Sequence, residues 1–209
     1  MDHLSLLSHE VAGMSAAIHA NDPNQPIDGC PGWTMRELTG HVTGIHRWVL
    51  QALENRGAGS YDETPDETDL AEGYDTAANA MLDRLTELPA DAPAWTFNRD
   101  DQTAGFWRRR QLHELAVHRW DAAPYEISDE VATEGIDEIL DFFLPRAITK
   151  GLTVLPVATL NLVTPGRTWT LGDTGPETVL EGTPHAVLLT LYQRGSTLPG
   201  VWGQTRLTP

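Results

Sequence analysis

The sequence is poor in cysteine and in basic residues, and each shortage excludes a class of structure or partner. Among its 209 residues the only cysteine is Cys30, which excludes an intrachain disulfide. Lys150 is the only lysine, and 14 basic residues face 30 acidic ones, for a formal net charge of −16. So acidic a chain lacks the clustered cations that bind nucleic acids or anionic membrane surfaces, and neither partner is expected.

Long apolar runs are also missing. No stretch reaches the roughly 18 apolar residues that a membrane-spanning helix needs. The first residues, MDHLSLLSHEV, have neither a basic start nor a long apolar core, so no secretory signal is expected. A cytoplasmic protein is the expectation, and a hydrophobic fraction of 40% is enough for a folded core.

Helical periodicity dominates the first 125 residues. Four helices are predicted, over residues 3–20, 34–55, 70–88 and 104–122. Thr34 and Glu37 form a Thr-x-x-Glu capping box at the start of the second helix. The acidic segment 57–69 is predicted to be a solvated loop. Four helices with short to moderate connections are typical of a bundle.

The pattern changes near residue 125. After a further predicted helix over residues 129–148, strand-like segments at 157–163, 168–171 and 178–180 are separated by Gly-Pro turns. A helix from Pro184 to Gln193 and a last strand over 201–207 complete the prediction. The expected fold class is α+β, with a four-helix bundle over residues 1–125 and a smaller α+β domain over residues 126–209.

Three residues suggest a metal site. Glu114 and His118 are four residues apart and therefore share one face of the fourth helix. His41, from the second helix, completes a set of three ligands that leaves one position open, as in catalytic zinc sites. The alternative is an ordinary surface pair with His41 half-buried. His46 lies roughly 140° around the helix from His41 and is not expected to bind the same ion.

Neighbouring residues compete for roles at this site. The run Arg108–Arg110 is interpreted as solvated for two of its members, with one able to bind a substrate carboxylate. Asp121 is a candidate partner for a ligating imidazole, or else the ion-pair partner of an arginine. His113 points roughly 100° away from Glu114 and is a weaker ligand candidate. Cys30, in a Gly-Pro turn, is interpreted as a packing residue.

Two segments, CPGWTMRELTGHVTGIHRWV and HELAVHRWDA, resemble the actinobacterial mycothiol-dependent maleylpyruvate isomerase family, and the resemblance covers nearly the whole chain. It implies a DinB-like four-helix bundle followed by a small sterol-carrier-like α+β domain. It also implies that zinc, or another divalent metal, is held by His41, Glu114 and His118. The fragment LLTLYQRG makes Arg194 the match to a catalytic arginine of the family.

The resemblance further implies thiol chemistry on small molecules. Mycothiol is the expected cosubstrate, and maleylpyruvate-like unsaturated dicarboxylates are the expected substrates. A metal-held thiolate would add to the double bond, and its expulsion after bond rotation would leave the trans isomer. A mycothiol S-transferase would share the first steps. Metal-dependent hydrolysis and non-catalytic ligand binding are further alternatives. Under each of them the protein is expected to be a monomer or a homodimer.

Overall fold

A computed structural model describes residues 1–55, 57–61, 69–205 and 207. The chain divides into two compact units, Met1–Tyr125 and Glu126–Pro209. Helices together with one small sheet confirm the predicted α+β class. None of the helices within the described ranges combines the length and apolar character that crossing a membrane requires.

Four helices form the first unit: α1 (His3–Ala20), α2 (Met35–Asn55), α3 (Leu70–Glu87) and α4 (Ala104–Ala122). Both α1 and α2 pack against α3 and α4, which gives the predicted bundle. The helix ends agree with the predictions to within one residue. In the predicted loop, residues 57–61 carry neither helix nor strand, and residues 62–68 lie outside the described residues.

Side-chain caps fix where the two central helices begin. The backbone N–H of Thr34 donates to Glu37 Oε2 over 2.8 Å, as the capping box predicts, and the Thr34 hydroxyl donates to the same oxygen. These hydrogen bonds lower the pKa of Glu37. Thr103 Oγ1 accepts from the N–H of Phe106 at the start of α4. Fixed starts determine which residues of α2 and α4 face each other.

A buried ion pair ties α4 to α1. Glu10, 5% exposed, accepts hydrogen bonds from Arg119 over 3.1 Å and from the Tyr125 hydroxyl over 2.7 Å. A Cβ atom on Gly13 would lie 2.2 Å from the Arg119 guanidinium carbon, so a larger residue at this position would displace the guanidinium from its present place. The contact fixes one side of α4 and leaves the opposite side to α2.

The second unit combines helices with a three-stranded sheet. Helix α5 (Asp129–Glu138) continues through a π-helical turn (Ile139–Phe143) into α6 (Leu144–Thr149), and α7 spans Pro184–Leu191. The strands are β1 (Thr159–Thr164), β2 (Arg167–Leu171) and β3 (Glu177–Glu181), in the order β2-β1-β3. Strand β1 is antiparallel to β2 and parallel to β3.

The prediction of a last strand over residues 201–207 is wrong. A 3-10 helix occupies Gly200–Gln204, and residue 206 lies outside the described residues. Gly200 has φ of +60°, which turns the chain out of an extended path. Trp202 is buried, and its backbone oxygen accepts a hydrogen bond from the N–H of Thr205 over 2.8 Å. A tight turn that buries one tryptophan has replaced the expected strand.

Candidate metal centre

Helices α2 and α4 bring the three predicted ligands together. Glu114 Oε1 lies 3.2 Å from His41 Nε2 and 3.3 Å from His118 Nε2. One ligand atom from each residue lies within 4.8 Å of the other two. The four-residue spacing of Glu114 and His118 places both side chains on the side of α4 that faces α2.

Each candidate ligand is held at its second polar atom by a different partner. Arg110 donates to Glu114 Oε2 through a short hydrogen bond. Asp121 Oδ2 lies 3.0 Å from Nδ1 of His118, and the Tyr61 hydroxyl lies 2.8 Å from Nδ1 of His41. Such outer partners orient ligands in metal sites, and they leave the remaining atom of each ligand turned inward.

The cluster is neither fully buried nor fully open. The side chains of His41, Glu114 and His118 are 18%, 15% and 13% exposed. The centre of the His41 ring lies 5.0 Å from that of Trp33 and 5.1 Å from that of His118. Two imidazoles and one carboxylate are a donor set that holds catalytic zinc, and partial exposure leaves access for a further ligand. The residues therefore fit a divalent ion.

The charges inside the cluster are strongly coupled. Burial alone raises the pKa of Glu114, but the Arg110 guanidinium and the two imidazoles outweigh it and hold that pKa well below its usual range. Burial alone lowers the pKa of His118, but hydrogen bonds to Asp121 and Cys30 and the nearby Glu114 carboxylate hold it well above its usual range. Because metal ligands bind in their deprotonated form, the proton affinity of this cluster is coupled to its affinity for an ion.

A second group of possible ligands shares one histidine with the first. Cys30, His118 and Asp121 also bring one ligand atom each within 4.8 Å of one another. Cys30 Sγ lies 3.5 Å from Asp121 Oδ2, on the Nδ1 side of the His118 ring. The sequence suggested only a packing role for Cys30, whereas the structure places its thiol beside the partner of a candidate ligand.

The arginine run is less solvated than the sequence suggested. Arg110 is 4% exposed and holds Glu114 rather than facing solvent. Arg108 is half-buried and donates to the backbone oxygens of Leu85, over 2.8 Å, and Leu88. The expectation left one member of the run unsolvated, and Arg110 is that member, whereas Arg108 is only partly solvated. Both guanidinium groups are engaged by the first unit itself.

Arg194 lies in the second unit, just after α7. Its Nη1 donates to the backbone oxygen of Tyr192 over 3.0 Å, and its N–H donates to the backbone oxygen of Leu189. The preceding Gln193 has φ of 58°, a left-handed conformation that is uncommon for a residue with a side chain. The catalytic role of Arg194 stays a prediction.

Two contacts at the centre, Arg110 with Glu114 and Tyr61 with His41, were not identified from the sequence. Arg110 precedes Glu114 by four residues, so the spacing that linked Glu114 to His118 also indicates this pair. Tyr61 approaches from the segment after α2, and no local pattern indicates that its hydroxyl reaches His41. Tertiary placement alone reveals that contact.

Comparisons with known proteins agree with this architecture. The family model for the mycothiol maleylpyruvate isomerase N-terminal domain matches residues 4–123, more than half of the chain. A crystal structure of the mycothiol-dependent maleylpyruvate isomerase is similar with a TM-score of 0.73 and 15% identity, covering 100% of this chain and 95% of that one. A histidine-to-alanine mutant of that enzyme is similar with a TM-score of 0.76 and 14% identity, with the same coverage. No curated protein matches the sequence significantly. At such identities the likeness shows the fold alone.

Proposed function

The chain belongs to the mycothiol maleylpyruvate isomerase N-terminal domain family, and from this we propose a metal- and mycothiol-dependent cis-trans isomerase of maleylpyruvate-like unsaturated dicarboxylates. The observation that carries the proposal is the convergence of three ligand atoms, His41 Nε2, Glu114 Oε1 and His118 Nε2. Solved structures with the same fold are described as mycothiol-dependent maleylpyruvate isomerases, which supports the choice of thiol and substrate.

Zinc is the ion that this donor set fits best. Two imidazole nitrogens and one carboxylate oxygen match the three-ligand pattern of catalytic zinc, and no further cysteine is available for a thiolate-rich structural site. A zinc ion bound here would supply positive charge that lowers the pKa of a coordinated thiol, which makes the thiol a better nucleophile at neutral pH.

The residues around the cluster prepare it for this ion. Arg110 occupies Oε2 of Glu114, so Oε1 alone faces the imidazoles. The hydrogen bonds at Nδ1 of His41 and His118 keep both Nε2 atoms turned toward that oxygen. The chain therefore presents an arranged set of donors, so little reorganisation is needed when an ion enters.

Carboxylate binding is the second requirement of the proposal. A dicarboxylate substrate needs cationic partners, and arginine provides them best because it binds carboxylates through two parallel hydrogen bonds. We assign this role to Arg194, which the fragment LLTLYQRG matches to a catalytic arginine of the family. A conjugating S-transferase acting on an uncharged electrophile is the second candidate, because it needs no such cation.

Metal content tests the site directly. We expect close to one zinc per chain in the purified protein by elemental analysis, and loss of that zinc in Glu114→Ala. Glu87→Ala is the matched control, because Glu87 is an exposed glutamate that also pairs with an arginine, Arg84, over 3.0 Å. If neither the wild type nor the control binds zinc after incubation with the metal, the enzyme proposal is wrong and a ligand-binding protein becomes the better account.

Activity then separates the two candidate reactions. The zinc-loaded protein is incubated with mycothiol and maleylpyruvate, and the cis and trans isomers are separated by chromatography. Formation of the trans isomer that depends on mycothiol, and that Arg194→Met reduces, supports the isomerase. Absence of isomerisation, together with mycothiol consumption by an uncharged electrophile such as a halogenated nitroarene, supports the S-transferase instead.

A further inference from the structure

We infer that Asp121 is a positioning residue for His118, and that the Cys30 thiol holds Asp121 from its other side. The inference rests on the proposed metal site and concerns residues that contact a ligand rather than the ion. Asp121 contacts Nδ1 of the His118 ring, whereas Nε2 of that ring faces Glu114. Its role is to hold the His118 ring so that Nε2 faces the Glu114 oxygen.

The geometry of α4 carries the argument. Glu114, His118 and Asp121 follow one another at spacings of four and three residues, which places all three on one face of the helix. Asp121 Oδ2 lies 3.0 Å from Nδ1 of His118, and the opposite ring atom, Nε2, lies 3.3 Å from Glu114 Oε1. With Nδ1–H donating to the carboxylate, the lone pair of Nε2 is available to an ion.

Burial shows that Asp121 is not an ordinary surface carboxylate. Its side chain is 0% exposed, so its charge must be met by donors inside the protein. The alternative from the sequence was an ion pair with an arginine. Asp121 pairs with His118, whereas Arg119 pairs with Glu10 and Arg110 pairs with Glu114.

Cys30 supplies a second donor to the same oxygen. Its thiol lies 3.5 Å from Asp121 Oδ2, which already accepts from His118. Both donors act on one atom, so the thiol restricts the rotation of the carboxylate that orients the imidazole.

Graded substitutions of both residues test the inference. Asp121→Asn keeps an oxygen that accepts from Nδ1–H but removes the charge, whereas Asp121→Ala removes both. Cys30→Ser keeps a donor, whereas Cys30→Ala removes it. Asp75→Ala is the matched control, because Asp75 also pairs with a histidine, His19, over 2.9 Å, in an exposed position far along the sequence from the candidate ligands.

Zinc affinity is measured by competition with a chromophoric chelator. We expect Asp121→Ala to bind zinc about 10- to 100-fold more weakly than the wild type, as is typical when an outer partner of a ligand is lost. The zinc affinity of Asp121→Asn should lie between those of Asp121→Ala and the wild type. Cys30→Ala should lose less than about tenfold in zinc affinity, and Cys30→Ser and Asp75→Ala should bind zinc as tightly as the wild type.

A spectroscopic readout separates positioning from general destabilisation. In zinc-loaded protein with ¹⁵N-labelled histidine, the Nδ1–H proton of His118 should give a slowly exchanging signal in the wild type and in Asp121→Asn, and no such signal in Asp121→Ala. Wild-type zinc affinity and an unchanged signal in folded Asp121→Ala would overturn the inference and leave the metal site intact. Failure of the wild type itself to bind zinc would overturn the proposed function and this inference with it.

Discussion

Two histidines of α2 meet α4 in very different surroundings. His41 lies against the Glu114 carboxylate, with the Tyr61 hydroxyl at its other nitrogen and a side chain that is 18% exposed. His46, five residues further along, is 0% exposed and has its Nδ1 3.1 Å from the amide oxygen of Gln111. Its Nε2 has no hydrogen-bond partner among the described residues.

The contrast shows that the partner and the access to solvent decide what a buried imidazole can do. The carboxylate beside His41 favours a metal ion at that position. Burial lowers the pKa of His46 to about 4, because the hydrogen bond to the Gln111 amide and the charge of Glu114 offset it only in part. His46 is therefore a neutral core residue at physiological pH, whereas His41 belongs to a charged, accessible cluster.

Exchange of each histidine for glutamine gives the largest expected difference. His41→Gln removes one of three ligands, and zinc sites gain roughly 3–4 kcal/mol per ligand, so we expect zinc affinity to fall several hundredfold or more. His46→Gln should leave zinc affinity within about threefold of the wild type, because its removal leaves every outer partner of the ligands in place. Titration with a fluorescent zinc indicator measures both. Equal losses in the two variants would contradict the distinction.

Arg110 tests the charge balance of the cluster. Arg110→Met leaves Glu114 buried without its cation, and breaking a buried ion pair in this way costs about 3 kcal/mol or more of unfolding free energy. A bound ion then becomes the main compensation for the carboxylate, so zinc should raise the melting temperature more in Arg110→Met than in the wild type.

Calorimetry with and without zinc measures this difference. Arg84→Met, which breaks an exposed pair with Glu87, is the control and should lose less than about 1 kcal/mol, with no change in the response to zinc. Equal zinc-induced shifts in Arg110→Met and the wild type would show that Arg110 does not balance the charge of Glu114.

The neutral state of His46 predicts a pH-dependent stability. The pKa of His46 is about 4 in the folded protein and near the ordinary histidine value of 6.5 in the unfolded chain, so the unfolded chain binds the extra proton between these values. The contribution of neutral His46 to the free energy of unfolding is fully present above pH 6.5. It is lost as the pH falls toward 4, by roughly 3 kcal/mol in total.

The measurement is the difference in unfolding free energy between the wild type and His46→Gln, followed by urea denaturation from pH 7 to pH 4. Taking the difference removes the contribution of other titrating groups. We expect the stability of the wild type to fall more steeply with decreasing pH than that of the variant. Parallel curves would mean that His46 is charged, or hydrated, in the folded state.

The sequence predicted the helices and the ligand set for physical reasons that are local. Caps such as Thr34 and breaks at proline fix where helices start and stop, and the periodicity of α4 places Glu114 and His118 on one face. Once two helices of a bundle face each other, His41 is the histidine of α2 that this face reaches.

Features that depend on tertiary burial were missed or wrong. A run of three arginines is usually solvated, yet Arg110 is buried because the adjacent Glu114 carboxylate compensates its charge. The last segment has a strand-like composition, yet Gly200 and the burial of Trp202 favour a 3-10 turn. Local patterns do not encode which charged side chain finds a buried partner.

Tyr61 offers the smallest and most selective test of the contrast between the two histidines. Tyr61→Phe removes one hydroxyl and leaves the ring near His41 and Trp48 in place. Because Tyr61 is 44% exposed, water can replace its hydroxyl at Nδ1 of His41, so we expect zinc affinity to fall by no more than about tenfold. The matched change at His46 is Gln111→Leu, which removes a buried amide partner and should reduce stability by about 1–3 kcal/mol without an equivalent loss of zinc binding. Chelator competition and urea denaturation on both variants separate the two effects. A larger loss of zinc affinity in Gln111→Leu than in Tyr61→Phe would show that the buried histidine, rather than the accessible one, is coupled to the metal.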